Sequence, residues 1–272
     1  MHLCVVKIIM VGDKTDKIHE RKRKFMKLLI IRHGDPDYSI DSLTEKGWKE
    51  AELLSERIAS IPLSVGETMT FYQSPLGRAR DTASLTLKKL GKTAETMPWL
   101  REFDAPVMDE DTGRMRICWD FLPGRWTKEE RYYAKDAWFQ TPLMAEGDVI
   151  RQAAWVWDGL DEILKRHGYE RNGNIYRVNR ANTDTVVLFC HFGVECVMLA
   201  HLLGVSPVVL WHGTIASPSS VTTLITEERR RGIASFRMRS FGDISHLYAG
   251  GEEPAFAGRF CETWENREER HD

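Results

Sequence analysis

Apolar residues are distributed along this chain in two ways, and the two alternate. Leu28-Leu29-Ile30-Ile31 and Thr185-Val186-Val187-Leu188-Phe189-Cys190 are unbroken runs, the pattern of strands covered on both faces of a sheet. Thr68-Met69-Thr70-Phe71-Tyr72 reads as a third, shorter strand. Between them the apolar positions become periodic. Leu43, Trp48, Ala51, Leu54, Ile58 and Ile61 recur with charges between them. That spacing predicts a helix capped by Thr44, with Gly47 weakening its first turn. Pro75 opens a second helix that runs through Ala83 to about Leu90. Gly193 onward is helical again through Val197, Leu199 and Leu203, closing at Gly204. Near the carboxyl end Val221 to Thr226 and Ile233 to Met238 flank a charged stretch from Glu227 to Gly232, which predicts a hairpin with a charged turn.

This alternation predicts an α/β fold: a three-layer sandwich with a mainly parallel central sheet and helices on both faces. Residues 101–150 break the rhythm. They carry Phe103, Trp119, Phe121, Trp126, Tyr132, Tyr133, Trp138 and Phe139, with Arg114, Arg116, Arg125, Lys128 and Arg131 among them. We read this as an inserted cap leaning over the strand edges; the competing reading is a satellite core. Residues 1–25 precede a natural start at Met26, and no aromatic interleaves their charge run from Lys14 to Lys24. They read as a disordered leader rather than a nucleic-acid arm. Residues 26–272 then form one domain with the cap inserted.

At 272 residues the chain is long enough for such a domain. Its formal net charge of -2 gives no general attraction for nucleic acid or anionic membrane. No stretch approaches the roughly 18 apolar residues of a membrane span. The run from Leu3 to Val11 is followed by charge, the reverse of a secretory signal. Cys4, Cys118, Cys190, Cys196 and Cys261 are scattered, odd in number and without metal-type pairing. Reduced thiols in a cytoplasmic compartment are therefore expected.

Chemistry gathers where the apolar runs end. The first is followed by Arg32-His33-Gly34-Asp35 and the late run by His191-Phe192-Gly193. The short run precedes Ser74-Pro75-Leu76-Gly77-Arg78-Ala79-Arg80-Asp81-Thr82-Ala83. Open α/β folds place their ligands at such carboxyl edges. His33 is the candidate nucleophile, since an imidazole with a pKa of about 6.5 is largely neutral at pH 7. Attack on a phosphate monoester dianion requires cations around its oxygens. Arg32 and Arg78 supply planar forks suited to that task. Ser74 can add a hydroxyl or backbone donor before the second helix, and His191 a further hydrogen bond or charge.

In this order the three motifs resemble those of the histidine phosphatase superfamily, the phosphoglycerate mutase-like branch with the Arg-His-Gly motif. The resemblance runs from about Lys27 to Gly204. It implies that His33 becomes phosphorylated, that Arg32 and Arg78 bind phosphate, and that His191 is the family's second histidine. It also implies an acid after the third strand, often in a Leu-x-Glu context. Leu100-Arg101-Glu102 fits, making Glu102 the general acid, with Asp104 a close competitor and Asp109, Glu110 and Asp111 further off. The expected activity is hydrolysis of a small phosphorylated metabolite through a phosphohistidine. The alternatives are phosphoglycerate mutase-type transfer and a non-catalytic phosphate-binding module. Against the module stands the joint presence of acid and nucleophile. Against the mutase subgroup, the loop Asp35-Pro36-Asp37-Tyr38-Ser39 lacks the asparagine many members carry.

No metal or cofactor is expected. The chain has no Walker-type glycine loop or metal-binding histidine pair, and six positions after Cys190 stands Cys196 rather than an arginine. The expected partner is a small-molecule phosphoester, not nucleic acid or a membrane. A cap rich in aromatics would favour leaving groups with a planar or apolar face.

Overall fold

The first strand, β1 (Lys27–Arg32), is apolar on both sides because two cores meet on it. Leu28 and Ile30 enter one core, Leu29 and Ile31 the other. Burial of each such side chain is worth about 1.5–3 kcal/mol. A computed structural model of the chain describes residues 25–109, 113–256 and 263–265. Apart from Phe25, the leader assigned to residues 1–25 lies outside these residues, as do Glu110, Asp111 and Cys261.

A small ribbon, β2 (Pro36–Asp37) with β3 (Ser42–Leu43), leads into α1 (Glu45–Ala59). Thr44 caps α1 as expected, its Oγ1 accepting from Gly47 N at 3.0 Å. Then come β4 (Met69–Gln73), α2 (Gly77–Leu90) and β5 (Ala94–Thr96). α2 starts later than Pro75 because Leu76 is still extended, with ψ 140.

Residues 101–150 form an antiparallel pair, β6 (Pro106–Asp109) with β7 (Arg114–Ile117), and the short helices α3 (Pro123–Trp126) and α4 (Pro142–Glu146). Two 3-10 turns, Glu130–Tyr133 and Trp138–Gln140, lie between those helices. Half of the eight aromatics here are core: Phe103, Phe121, Tyr132 and Trp138 are buried in the larger apolar cluster, and Trp119, Trp126 and Phe139 pack against it. The chain continues through α5 (Val149–Arg166), β8 (Tyr169–Asn172), β9 (Ile175–Val178), β10 (Thr185–Cys190), α6 (Phe192–Leu203) and α7 (Pro207–Gly213). It ends with β11 (Val221–Arg230), β12 (Ile233–Asp243) and α8 (Ser245–Ala249).

Eight strands form one sheet in the order β5-β4-β10-β1-β11-β12-β9-β8. β5, β4, β10 and β1 run parallel, and the remaining pairings are antiparallel. α1 and α2 pack on one face through Leu54, Ile58 and Ala83; α5 and α6 cover the other. This is the expected α/β sandwich with helices on both faces, except that its sheet is mixed rather than mainly parallel, with three parallel and four antiparallel pairings among the described residues. The hairpin β11–β12 differs in one respect from its expectation. Glu227 to Arg230 belong to the strand, and the ribbon turns at Arg231-Gly232. Among the described residues no helix is long and apolar enough to cross a membrane.

Candidate active site

Strand register brings the three motifs together. Arg32 lies opposite Cys190, and Phe189 opposite Gln73. His33, His191 and Ser74 therefore each follow the last residue of three neighbouring parallel strands. The pairing continues one step further, with His33 N donating to Cys190 O at 3.0 Å and Ser74 N to Phe189 O at 2.9 Å. The two imidazole rings end up 5.1 Å apart.

Close packing explains the glycine after His33. A Cβ on Gly34 would stand 2.8 Å from Gly47 O, and one on Gly47 2.2 Å from Asp35 O. Gly47, poor for α1 by propensity, is thus what lets that helix close on the loop after His33. Glu50, buried on α1, accepts from Asp35 N at 2.8 Å and from Ala255 N at 3.1 Å, holding the same loop from below.

His33 Nδ1 lies 2.7 Å from Gly34 O. A carbonyl only accepts, so Nδ1 carries the proton and Nε2 keeps its lone pair. Burial first, then the Arg32 charge, push this imidazole well below its usual pKa, with the Gly34 bond opposing. It is neutral at pH 7.

Two arginines flank it. Arg32 Nη1 donates to Ala216 O at 2.5 Å, and its guanidinium carbon stands 5.9 Å from the Phe192 ring centre. Arg78 Nη1 donates to Asp41 Oδ1 at 2.6 Å, with the Tyr38 ring 5.3 Å away. Asp41 Oδ2 accepts from Gly77 N at 2.7 Å, the first residue of α2. His191 Nε2 pairs with Ser74 Oγ at 2.8 Å. Burial, then His33 and the arginines, lowers the His191 pKa well below the usual range. These anchors leave Arg32 Nε, Arg78 Nε and His191 Nδ1 buried without a hydrogen-bond partner among the described residues. Each such orphan costs about 1–3 kcal/mol, more for a charged group. An anion of suitable shape removes that cost.

Glu102 follows the 3-10 turn Pro98–Leu100. Its Oε1 accepts from Phe103 N at 2.8 Å and from Val194 N at 3.1 Å, in the first turn of α6. Gly193 makes room: a Cβ there would stand 2.7 Å from Glu102 Oε1 and 2.6 Å from Trp119 Nε1. Burial raises the Glu102 pKa, outweighing the Phe103 and Val194 bonds and the nearby Arg32 and Arg78 charges. Asp104, the competitor, is exposed and held by Arg101 at 2.9 Å and Gln152 at 3.2 Å. Asp109 is bound within its own segment by Arg116 and Arg125. So Arg32, His33, Ser74, Arg78, Glu102 and His191 converge, whereas Asp104 and Asp109 do not join them. Among the described residues no group of three or more His, Cys, Asp or Glu is placed to hold a metal ion. Cys118, Cys190 and Cys196 are free and buried.

Asp41 was not legible as a site residue, yet it fixes Arg78. It holds φ 49, in the left-handed region that an asparagine tolerates as well as an aspartate. Asp41→Asn should preserve the backbone and the Gly77 bond while removing the charge that orients Arg78. We expect kcat/KM to fall about tenfold, chiefly through KM. Steady-state kinetics check this; unchanged kinetics would mean Arg78 holds its place unaided.

A neutral imidazole, two guanidinium groups and a buried carboxyl thus gather at the carboxyl edge of the parallel strands. The chain belongs to the histidine phosphatase superfamily (branch 1), whose family model matches residues 28–238. That superfamily comprises phosphatase- and mutase-type enzymes. Among solved structures, phosphoserine phosphatase of Entamoeba histolytica in complex with 3-phosphoglyceric acid is 20% identical. Its TM-score is 0.53 over 82% of this chain and 99% of that one. A mycobacterial glucosyl-3-phosphoglycerate phosphatase is 19% identical, with a TM-score of 0.52 over 80% of this chain and 99% of that one. These likenesses establish the fold. None of the curated proteins compared matches the chain.

Proposed function

We propose that this enzyme hydrolyses a small phosphate monoester through a phosphohistidine on His33. The observation that carries the reading is the trio of buried nitrogens without a partner among the described residues, Arg32 Nε, Arg78 Nε and His191 Nδ1, close to a neutral imidazole. His33 Nε2 attacks phosphorus while the ester P–O bond breaks, and protonated Glu102 gives its proton to the departing oxygen. The imidazole then carries phosphorus on Nε2 and a proton on Nδ1, and the Gly34 carbonyl steadies that positive ring. In the second half, the Glu102 carboxylate takes a proton from water as the water attacks phosphorus and the P–N bond breaks. Arg32, Arg78, Ser74 and His191 stabilise the equatorial oxygens throughout.

The phosphatases that share its fold are named for phosphoserine and glucosyl-3-phosphoglycerate, which sets the first substrates to try. Labelled substrate quenched into alkaline denaturant, where a phosphoramidate survives, should leave label on the chain. Failure to trap label from a substrate that is turned over would count against the intermediate.

The aromatics of the 101–150 segment divide into two groups. Trp119 is half-buried beside Glu102 and Gly193 and meets Phe192 edge-on at 6.1 Å. Trp126 stacks on His212, at 5.2 Å, away from Glu102, and both tryptophans pack against the larger core. Trp119→Ala should therefore change the ranking of alkyl against aryl phosphates. Trp126→Ala should keep the ranking and lose about 2 kcal/mol of stability. A ranking untouched by both variants would make these aromatics structural.

A further inference from the structure

Helix α6 carries a carboxyl that the mechanism does not use. In the run Val194-Glu195-Cys196-Val197-Met198-Leu199-Ala200, Glu195 is the single charged residue. It is 1% exposed, and its Oε2 has no hydrogen-bond partner among the described residues. Thr222 of β11 bonds to the carboxyl, and the charged groups facing it are Arg32 from β1 and Glu102 from the segment before β6. The Cys190 and Cys196 thiols beside it are held neutral, pushed up by burial and by Glu195 itself. Among the described residues no carboxylate bonds to Arg32; its side-chain bond goes to the neutral Ala216 carbonyl. Its counter-charge comes through space, from Glu102, Glu195 and Glu50. Glu102 and Glu50 each accept two backbone N–H groups. Glu195 alone of the three has a bare buried oxygen.

We propose that Glu195 is a positioning residue for anion binding, the exchangeable counter-charge of Arg32, which gains a proton when a dianion engages that guanidinium. The proposal rests on the reading of Arg32 as a phosphate clamp. A dianion on Arg32 cancels the attraction that favours the carboxylate and adds repulsion, and both effects favour the acid form. Burial already pushes this carboxyl up to about 7, with the Thr222 bond and Arg32 opposing and Glu102 adding to the rise. It is therefore half-ionised near neutrality, where a neighbouring charge moves the most proton. By linkage, protonated Glu195 strengthens anion binding to the same degree, so affinity falls as pH rises.

Sulfate is the probe, because it stays a dianion across the neutral range and brings no proton of its own. Calorimetric titration of the enzyme with sulfate, in buffers of different ionisation enthalpy, reads proton uptake directly. We expect about half a proton taken up near pH 7, and affinity falling about tenfold between pH 6 and 8.5, the equivalent of one pKa unit. In Glu195→Gln both effects should vanish, with affinity flat to within about twofold. Uptake that persists in Glu102→Gln and in His33→Ala would exclude those two groups as its source, and those arms stand even if Glu195→Gln fails to fold. No uptake by the wild type, uptake lost in Glu102→Gln or in His33→Ala, or the same pH slope in Glu195→Gln would each overturn the proposal alone. Sulfate that binds neither protein would overturn the clamp reading, and this proposal with it.

Discussion

Replacing His33 with alanine is expected to give a folded protein without turnover, a loss of roughly 10³-fold or more. The fold should survive because residue 33 is held by its backbone. Its N–H pairs with Cys190 O, and its C=O accepts from Ser219 N at 2.9 Å. Neither bond involves the ring. The side chain itself contributes one hydrogen bond, to the adjacent Gly34 carbonyl, so its removal costs stability only modestly. Catalysis has no such reserve. His191, the other imidazole, has Nε2 engaged by Ser74 and sits at the start of α6. Sulfate binding should persist in the variant, since Arg32 and Arg78 are untouched, and label should no longer be trapped on the chain. More than a few per cent of wild-type turnover would move the nucleophile elsewhere.

How much of this was legible in the sequence follows from where local pattern determines structure. A parallel strand covered on both faces must be apolar throughout, so its end is marked by the first polar residues. That is why Arg32-His33, Ser74 and His191 could be placed at strand edges before any coordinates. What no pattern states is register. That Arg32 pairs with Cys190 is set by packing of the whole sheet. Asp41 escaped because its role depends on a loop folding back onto α2, where a Cβ on Gly77 would stand 2.0 Å from Asp41 O. Glu195 carried a usable signal: a single charge inside an otherwise apolar helix must meet a partner or neutralise.

Charge misled at the β11–β12 hairpin. Glu227 to Arg230 look like a turn, but charge reports exposure rather than backbone shape. Here the ribbon extends into solvent and stays paired out to Arg230 and Ile233, past a register irregularity between Glu227 and Arg230, and Glu227 pairs with Arg229 and Arg237, both at 2.8 Å. The 101–150 segment resisted reading for another reason. Its pieces are one short strand pair, short helices and turns, many of whose side chains fill gaps in the main core, and such packing has no period to detect.

Glu102→Gln is expected to separate substrates by their leaving groups. An alkoxide cannot depart without a proton, whereas a nitrophenolate can. Loss of the acid should slow alkyl phosphates by about 10²–10⁴-fold. With nitrophenyl phosphate the first step should stay fast, but the second, now without its base, should stall. The expected signature is a burst of nitrophenolate close to one per active site, followed by slow turnover and accumulated phosphoenzyme. Asp104→Asn serves as the control and should behave as wild type, because Asp104 is exposed and paired with Arg101. The pH dependence gives a second arm. Burial raises the Glu102 pKa, so the acid form persists above the ordinary carboxyl range. Phosphorylation by alkyl substrates should decline as pH rises through that raised value, and the decline should be absent from the glutamine variant. Equal losses on alkyl and aryl phosphates with no burst, or the burst appearing in Asp104→Asn instead, would remove Glu102 from the acid's role.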